Sequence, residues 1–148
     1  MQENLMWTLK QLYLSLEQYG RIQMKDFDLS PTQSAVLHYL LTQKEQAVYA
    51  VDLHEILGIS KSSVSSALKS LKQKGYLTTA GEPADDRKKR IALTQKAIDM
   101  EKAIETSLQE QQMQLCQEIP PQRLKWLEND LAVMLMNIRN ESGLEEPL

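Results

Sequence analysis

The chain is short of almost everything that staples or tethers a small protein. It has one cysteine, Cys116, and two histidines, His38 and His54, among 148 residues. A lone thiol cannot close an internal disulfide, and two imidazoles fall short of the ligand clusters that structural zinc uses. Aromatic residues make up 5% of the chain, with a single phenylalanine, so a core has to be built from aliphatic side chains. The longest unbroken apolar run, Leu131 to Met136, is far below what a bilayer crossing needs, and the opening Met-Gln-Glu-Asn does not have the basic, then apolar, character of a leader. The expectation is a cytoplasmic protein with no membrane, metal or cofactor requirement. A glycine-rich phosphate loop, a nucleophile elbow and paired carboxylates framed by a pocket signature are missing too, which leaves no catalytic site and no enzyme to propose.

What is present is an apolar content of 42%, enough for one ordinary globular domain over residues 1–148 and short for two. Its formal net charge of −3 argues against a nucleic-acid partner only until the chain is divided. Residues 61 to 94 carry eight basic groups (Lys61, Lys69, Lys72, Lys74, Arg87, Lys88, Lys89, Arg90) against three acidic ones, a balance of +5, while residues 1 to 60 sum to −3 and residues 95 to 148 to −5. A local basic surface neutralises phosphates while the acidic remainder repels them.

Apolar periodicity places the elements. Leu5, Leu9, Leu12, Leu16 and Tyr19 share one helical face that ends near Gly20. Ser30-Pro31 is a cap followed by a first-turn proline, and it opens a second helix to about Gln43 with Val36, Leu37, Leu40 and Leu41 inward. A short third helix, about Val51 to Leu57, turns Leu53, Ile56 and Leu57 inward and stops at Gly58, where a left-handed backbone is accessible. Ser60 caps the next helix, which buries Val64, Ala67, Leu68 and Leu71 and presents Ser62, Ser66, Lys69 and Gln73 outward. Short hydroxyl side chains let such a helix lie deep in a groove and donate to phosphates or base edges. Two strand-like stretches, Tyr76 to Thr79 and Arg90 to Leu93, enclose a basic tip, with Ile91 and Leu93 inward and Arg90 on the other face. Thr94 caps a long helix from about Gln95 to Glu118. A last helix from about Gln122 to Asn140 has Leu124, Leu127, Leu131, Leu135 and Ile138 on one face and Trp126 and Val133 nearly opposite. One helix cannot bury both faces against its own small domain, so a homodimer is expected.

The fold class is thus mainly α with a small β-hairpin wing, a winged helix-turn-helix flanked by terminal dimerisation helices. The ordering resembles the MarR family of bacterial transcription regulators over nearly the whole chain. Leu29-Ser30-Pro31-Thr32-Gln33, the run Gly58-Ile59-Ser60-Lys61-Ser62-Ser63-Val64, the segment Leu71 to Leu77, and Asp85-Asp86-Arg87 followed by Leu93-Thr94 carry the resemblance. It implies a DNA-binding lobe at 30–94, dimerisation helices at 1–22 and 95–142, and a homodimeric, ligand-responsive repressor on a pseudo-palindromic operator in double-stranded DNA. It also implies that Arg87, steadied by Asp85, reaches the minor groove from the wing tip. The expected DNA-binding residues are Ser60 and Lys61 at the helix entrance, Ser62, Ser65, Ser66 and Lys69 in the major groove, and Asp85, Arg87, Lys88 and Arg90 in the wing. Thr79-Ala80 stands where many relatives carry arginine, which lowers the expected phosphate affinity. The competing expectation is a winged-helix protein-interaction module with little DNA binding. By family analogy, a small-molecule effector of unspecified chemistry sits between the dimerisation helices and the DNA lobe. Trp7, Tyr13, Met24, His38 and Tyr39 suit the lining of a cleft but suit a core better. Cys116, with no neighbouring cation, is expected to be inert, and His54, beside Asp52 and Glu55, to lie on a solvated helical turn.

Overall fold

The computed structural model describes residues 4–82 and 85–142, apart from the side chains of Glu82, Asp85, Asp86, Arg87 and Ser142. The first helix, α1 (Leu5–Gln23), is capped by the Asn4 side chain, which accepts from the Met6 amide at 3.0 Å. It does not stop at Gly20. It runs on to Gln23, and Gly20 is buried under Pro31, whose ring would stand 3.3 Å from a Cβ at this position. This glycine permits close approach of two helices rather than ending one.

Helix α2 (Pro31–Thr42) begins with a reciprocal capping box between Ser30 and Gln33, and its Val36, Leu37, Leu40 and Leu41 are buried as their spacing requires. A two-residue strand, β1 (Val48–Tyr49), follows. It is too short to leave a periodic signal and exists only because a partner strand passes beside it. A 3-10 turn over Ala50–Asp52 then leads into α3 (Leu53–Leu57). That tighter turn alters which residues face the core. Leu53 is buried as expected, but Ile56 is 48% exposed and His54 only 6% exposed. The histidine is therefore a packed residue and not part of a solvated turn. Gly58, with φ of 68°, ends α3 in the left-handed region.

Helix α4 (Lys61–Gln73) buries Val64, Ala67, Leu68 and Leu71. Leu71 is fully enclosed, a burial that contributes roughly 1.5–3 kcal/mol. Strands β2 (Leu77–Glu82) and β3 (Asp85–Leu93) form an antiparallel hairpin, with β1 on the far side of β3. Both strands are longer than apolar alternation indicates. Pairing continues outward through Ala80 with Arg90 and Gly81 with Lys89, so Lys88 and Lys89 join Arg90 on the strand and do not belong to a loop. The hairpin connection at 83–84 lies outside the described residues.

The long helix expected after Thr94 is two helices, α5 (Gln95–Asp99) and α6 (Glu101–Cys116). Between them the hydrogen-bond ladder tightens, because the Met100 amide donates to Ala97 as well as to Ile98. α6 ends at Cys116, short of the expected Glu118, whose φ of 64° lies in the left-handed region. The last helix, α7 (Pro121–Ser142), starts on a proline. The core joins Met24, Leu37, Leu53, Leu71, Leu77 and Ile104, so α6 reaches from the terminal helices into the lobe built by α2 to β3. Ser107 of α6 donates to Gln23 at 3.0 Å, and Gln23 in turn donates to Glu110 at 2.9 Å, which fastens α6 to α1.

Candidate nucleic-acid interface

Helix α4 owes its position to polar ties at both ends. At its N-terminus the Ser60 hydroxyl accepts from the Ser63 amide at 3.1 Å and donates to the Ser63 hydroxyl at 2.8 Å. Along its length Gln33 donates to Ser70 at 3.0 Å while its carbonyl oxygen accepts from Lys74, also at 3.0 Å. Gln33 thereby closes the α2 capping box and holds α4 with one side chain. Sequence alone marks it for the first task only, since the second depends on where α4 passes. Beyond the C-terminus, Lys96 donates to the Lys74 carbonyl at 2.6 Å and lies 4.4 Å from the centre of the Tyr76 ring. A cation there complements the negative end of the helix. Burial, and secondarily the charge of Asp28, raise the Tyr76 hydroxyl above its ordinary pKa, and the hydroxyl meets the Phe27 carbonyl at 3.4 Å.

So held, α4 turns Lys61, Ser62, Ser63, Ser65, Ser66 and Lys69 to solvent, with Ser60 half-buried at the entrance. Ser62, Ser63 and Ser66 form one wall of a polar groove of about 300 Å³ whose other wall is Ser30, Thr32 and Gln33 of α2. The outer face is hydroxyl-rich and carries no acidic side chain from Lys61 to Gln73.

The wing residues divide between two faces. Val48, Leu77 and Ile91 are buried, and they define the sheet face packed on the helices. Arg90 pairs across the strands with Tyr49 and Ala80, and Lys88 places its ammonium 5.1 Å from the centre of the Tyr49 ring. By strand alternation Lys88 and Arg90 lie on the sheet face turned away from α4. Asp85 and Arg87 belong to β3, but their side chains lie outside the described residues. Of the expected DNA-binding set, Ser60, Lys61, Ser62, Ser65, Ser66 and Lys69 thus stand together on α4, and Lys88 and Arg90 together on the outer face of the hairpin.

The residues suited to a ligand cleft do not converge. Met24 is a core residue at 2% exposure, Trp7 and Tyr13 are exposed on α1, and His38 and Tyr39 are half-buried in α2. A shallow groove of about 560 Å³ runs between the end of α1 and α5–α6, lined by Gln23, Met24, Phe27, Lys102, Thr106 and Glu110 among others. Cys116 is half-buried at the end of α6. Among the described residues no His, Cys, Asp and Glu cluster able to hold a metal is found, and no helix is long and apolar enough to cross a membrane.

Comparison with known proteins adds an independent line. A family model described as "MarR family" matches residues 27–88, from the turn before α2 into the wing. No curated protein matches the sequence. Among solved structures, the MarR transcription regulator of Oenococcus oeni is 26% identical with a TM-score of 0.75, over 90% of this chain and 99% of that one. The S. aureus MepR–DNA complex superposes with a TM-score of 0.85 at 20% identity, covering 90% of this chain and 98% of MepR. A MarR-family regulator from Listeria monocytogenes, solved with a 26mer DNA, gives a TM-score of 0.81 at 17% identity over 96% of this chain and 93% of its own. The last two likenesses are likenesses of fold.

Proposed function

We propose that this chain, which belongs to the MarR family of winged-helix transcription regulators, is a sequence-specific repressor that binds a pseudo-palindromic operator as a homodimer and releases it on binding a small ligand. The observation that carries DNA binding is the outer face of α4. It is a rigidly tied helix whose buried side is Val64, Ala67, Leu68 and Leu71 and whose exposed side offers serines and lysines with no carboxylate. Such a face fits a major groove, where hydroxyls and ammonium groups meet acceptors on base edges and phosphates. In this proposal Ser62, Ser65, Ser66 and Lys69 enter the groove, Ser60 and Lys61 approach phosphates at the helix entrance, and Lys88 and Arg90, with Arg87 steadied by Asp85, serve the wing. The lobe at 30–94 does the reading, and residues 1–22 and 95–142 dimerise.

Dimerisation is supported by what the single chain leaves uncovered. On α1, Leu5, Met6, Trp7 and Leu14 are each more than half exposed, and on α7 so are Trp126, Val133, Met136 and Ile138. Apolar surface of this extent on two terminal helices is covered most economically by a second copy. Two recognition helices then need centres about 34 Å apart to enter successive major grooves. A ligand acts by binding the two spacings of those helices unequally, and the groove between α1 and α5–α6, beside helices proposed to dimerise, is the candidate seat for it. The test is Arg87→Ala in a mobility-shift titration on the chain's own promoter. Binding is expected to weaken at least several fold while the dimer stays folded. Unchanged binding would remove Arg87 from the interface, and salt-independent binding by the unmutated protein would favour a protein-interaction module instead.

A further inference from the structure

The inner face of the wing base and the adjoining flank of α4 carry a second set of polar groups, none of them among the proposed contacts. Lys72 projects from α4 on the flank shared with Lys61 and Ser65, and its ammonium donates to the Thr79 hydroxyl of β2 at 3.1 Å. Thr79 pairs with Ile91, and two residues further out Gly81 pairs with Lys89. Strand alternation therefore puts Thr79, Gly81 and Lys89 on the same face, the one turned toward α4, with Lys89 exposed. Among the described residues the space beside Gly81 is open, because a Cβ built there would meet nothing within 4 Å.

We infer that Lys72, Thr79, Gly81 and Lys89 form a seat for a DNA backbone phosphate between the recognition helix and the base of the wing. This rests on the proposed DNA binding and adds a contact to it. The chemistry is complementary at each position. The Thr79 hydroxyl accepts one of the three Lys72 protons, leaving two for phosphate oxygens, and its own hydrogen remains to be donated. Anchoring the ammonium beforehand reduces the side-chain entropy lost on binding. The missing side chain at Gly81 lets a phosphate come close to the strand, and Lys89 closes the seat from the neighbouring strand. The pair Thr79-Ala80 then does not forgo a phosphate contact. Its threonine holds a cation supplied by the helix.

The experiment measures binding to a fluorescein-labelled random-sequence duplex by anisotropy across a salt series, alongside the thermal stability of each variant. Lys72→Gln is expected to reduce the log-log salt slope by about 0.9 for each copy of the seat on the duplex. Gly81→Val is expected to leave stability unchanged and to weaken binding several fold, since a Cβ at Gly81 meets no described atom within 4 Å and the added side chain fills the seat in the complex. Thr79→Val is expected to weaken binding while Thr79→Ser retains it. Wild-type slope in Lys72→Gln together with wild-type affinity in Gly81→Val would overturn the seat while leaving DNA binding intact. A flat salt response in the unmutated protein would overturn both.

Discussion

Ser60 is assigned two tasks, and the geometry allows them to be separated. Its hydroxyl oxygen accepts from the Ser63 amide at 3.1 Å and its proton goes to the Ser63 hydroxyl at 2.8 Å. In the free protein it is thus fully engaged as the cap of α4, and a phosphate would have to capture the proton from Ser63. Replacing Ser60 by alanine leaves one amide of the first turn without its partner, at a cost of about 1 kcal/mol within a usual range of roughly 0.5–2. For a chain of this size that corresponds to a lowering of Tm by about 2–4 °C. Aspartate caps as well as serine and complements the positive end of the helix, so Ser60→Asp should restore the stability lost in Ser60→Ala. It also places a negative charge where a phosphate is proposed to sit. The two variants should therefore diverge, Ser60→Ala being less stable with modestly reduced DNA affinity, and Ser60→Asp stable with affinity reduced several fold. Urea denaturation at fixed protein concentration gives the first quantity and anisotropy titration the second. Equal loss of stability in both variants would refute the cap, and undiminished binding by Ser60→Asp would refute the approach of a phosphate to this helix end.

Two further expectations concern assembly and pH. Leu131→Asp puts a charge in the middle of the apolar face of α7, where Leu131 is 38% exposed in the single chain, and should shift sedimentation toward monomer and weaken operator binding together. An unchanged dimer would move the interface off α7. Tyr76 has its pKa raised from 10.0, chiefly by burial. The folded state therefore holds the phenol proton more tightly than the unfolded one, and this contribution is intact below pH 10 and lost as pH climbs from the unfolded toward the folded value. Tyr76→Phe should flatten that alkaline decline in a stability-versus-pH series, and an identical decline would assign it to other groups.

How much of this was legible in the sequence follows from the range of the forces involved. Helical faces at α2 and α4, the caps at Ser30, Ser60 and Thr94, and the turn at Gly58 are local matters, settled by residues within four positions of one another, and they read directly from the chain. So did the concentration of positive charge at 61–94 and the serine-rich outer face of α4. Neighbours distant in sequence decided the rest. Gly20 reads as a helix stop until Pro31 is seen packed on it, and Ile56 reads as core until the preceding 3-10 turn swings His54 inward in its place. The two-residue period already turns Arg90 away from Ile91, but only the pairing of β2 with β3 out to Gly81 and Lys89 extends that alternation to Lys88 and Lys89 and sets them on opposite faces. Thr79 reads as a lost arginine, and nothing local to β2 indicates that Lys72 reaches across to it. Composition and periodicity determined that this is a helical, winged chain whose positive charge collects at 61–94 and whose last helix carries apolar residues on both faces. The tertiary structure decided which cations face the recognition helix, because strand pairing and helix docking are long-range contacts that no single stretch of sequence encodes.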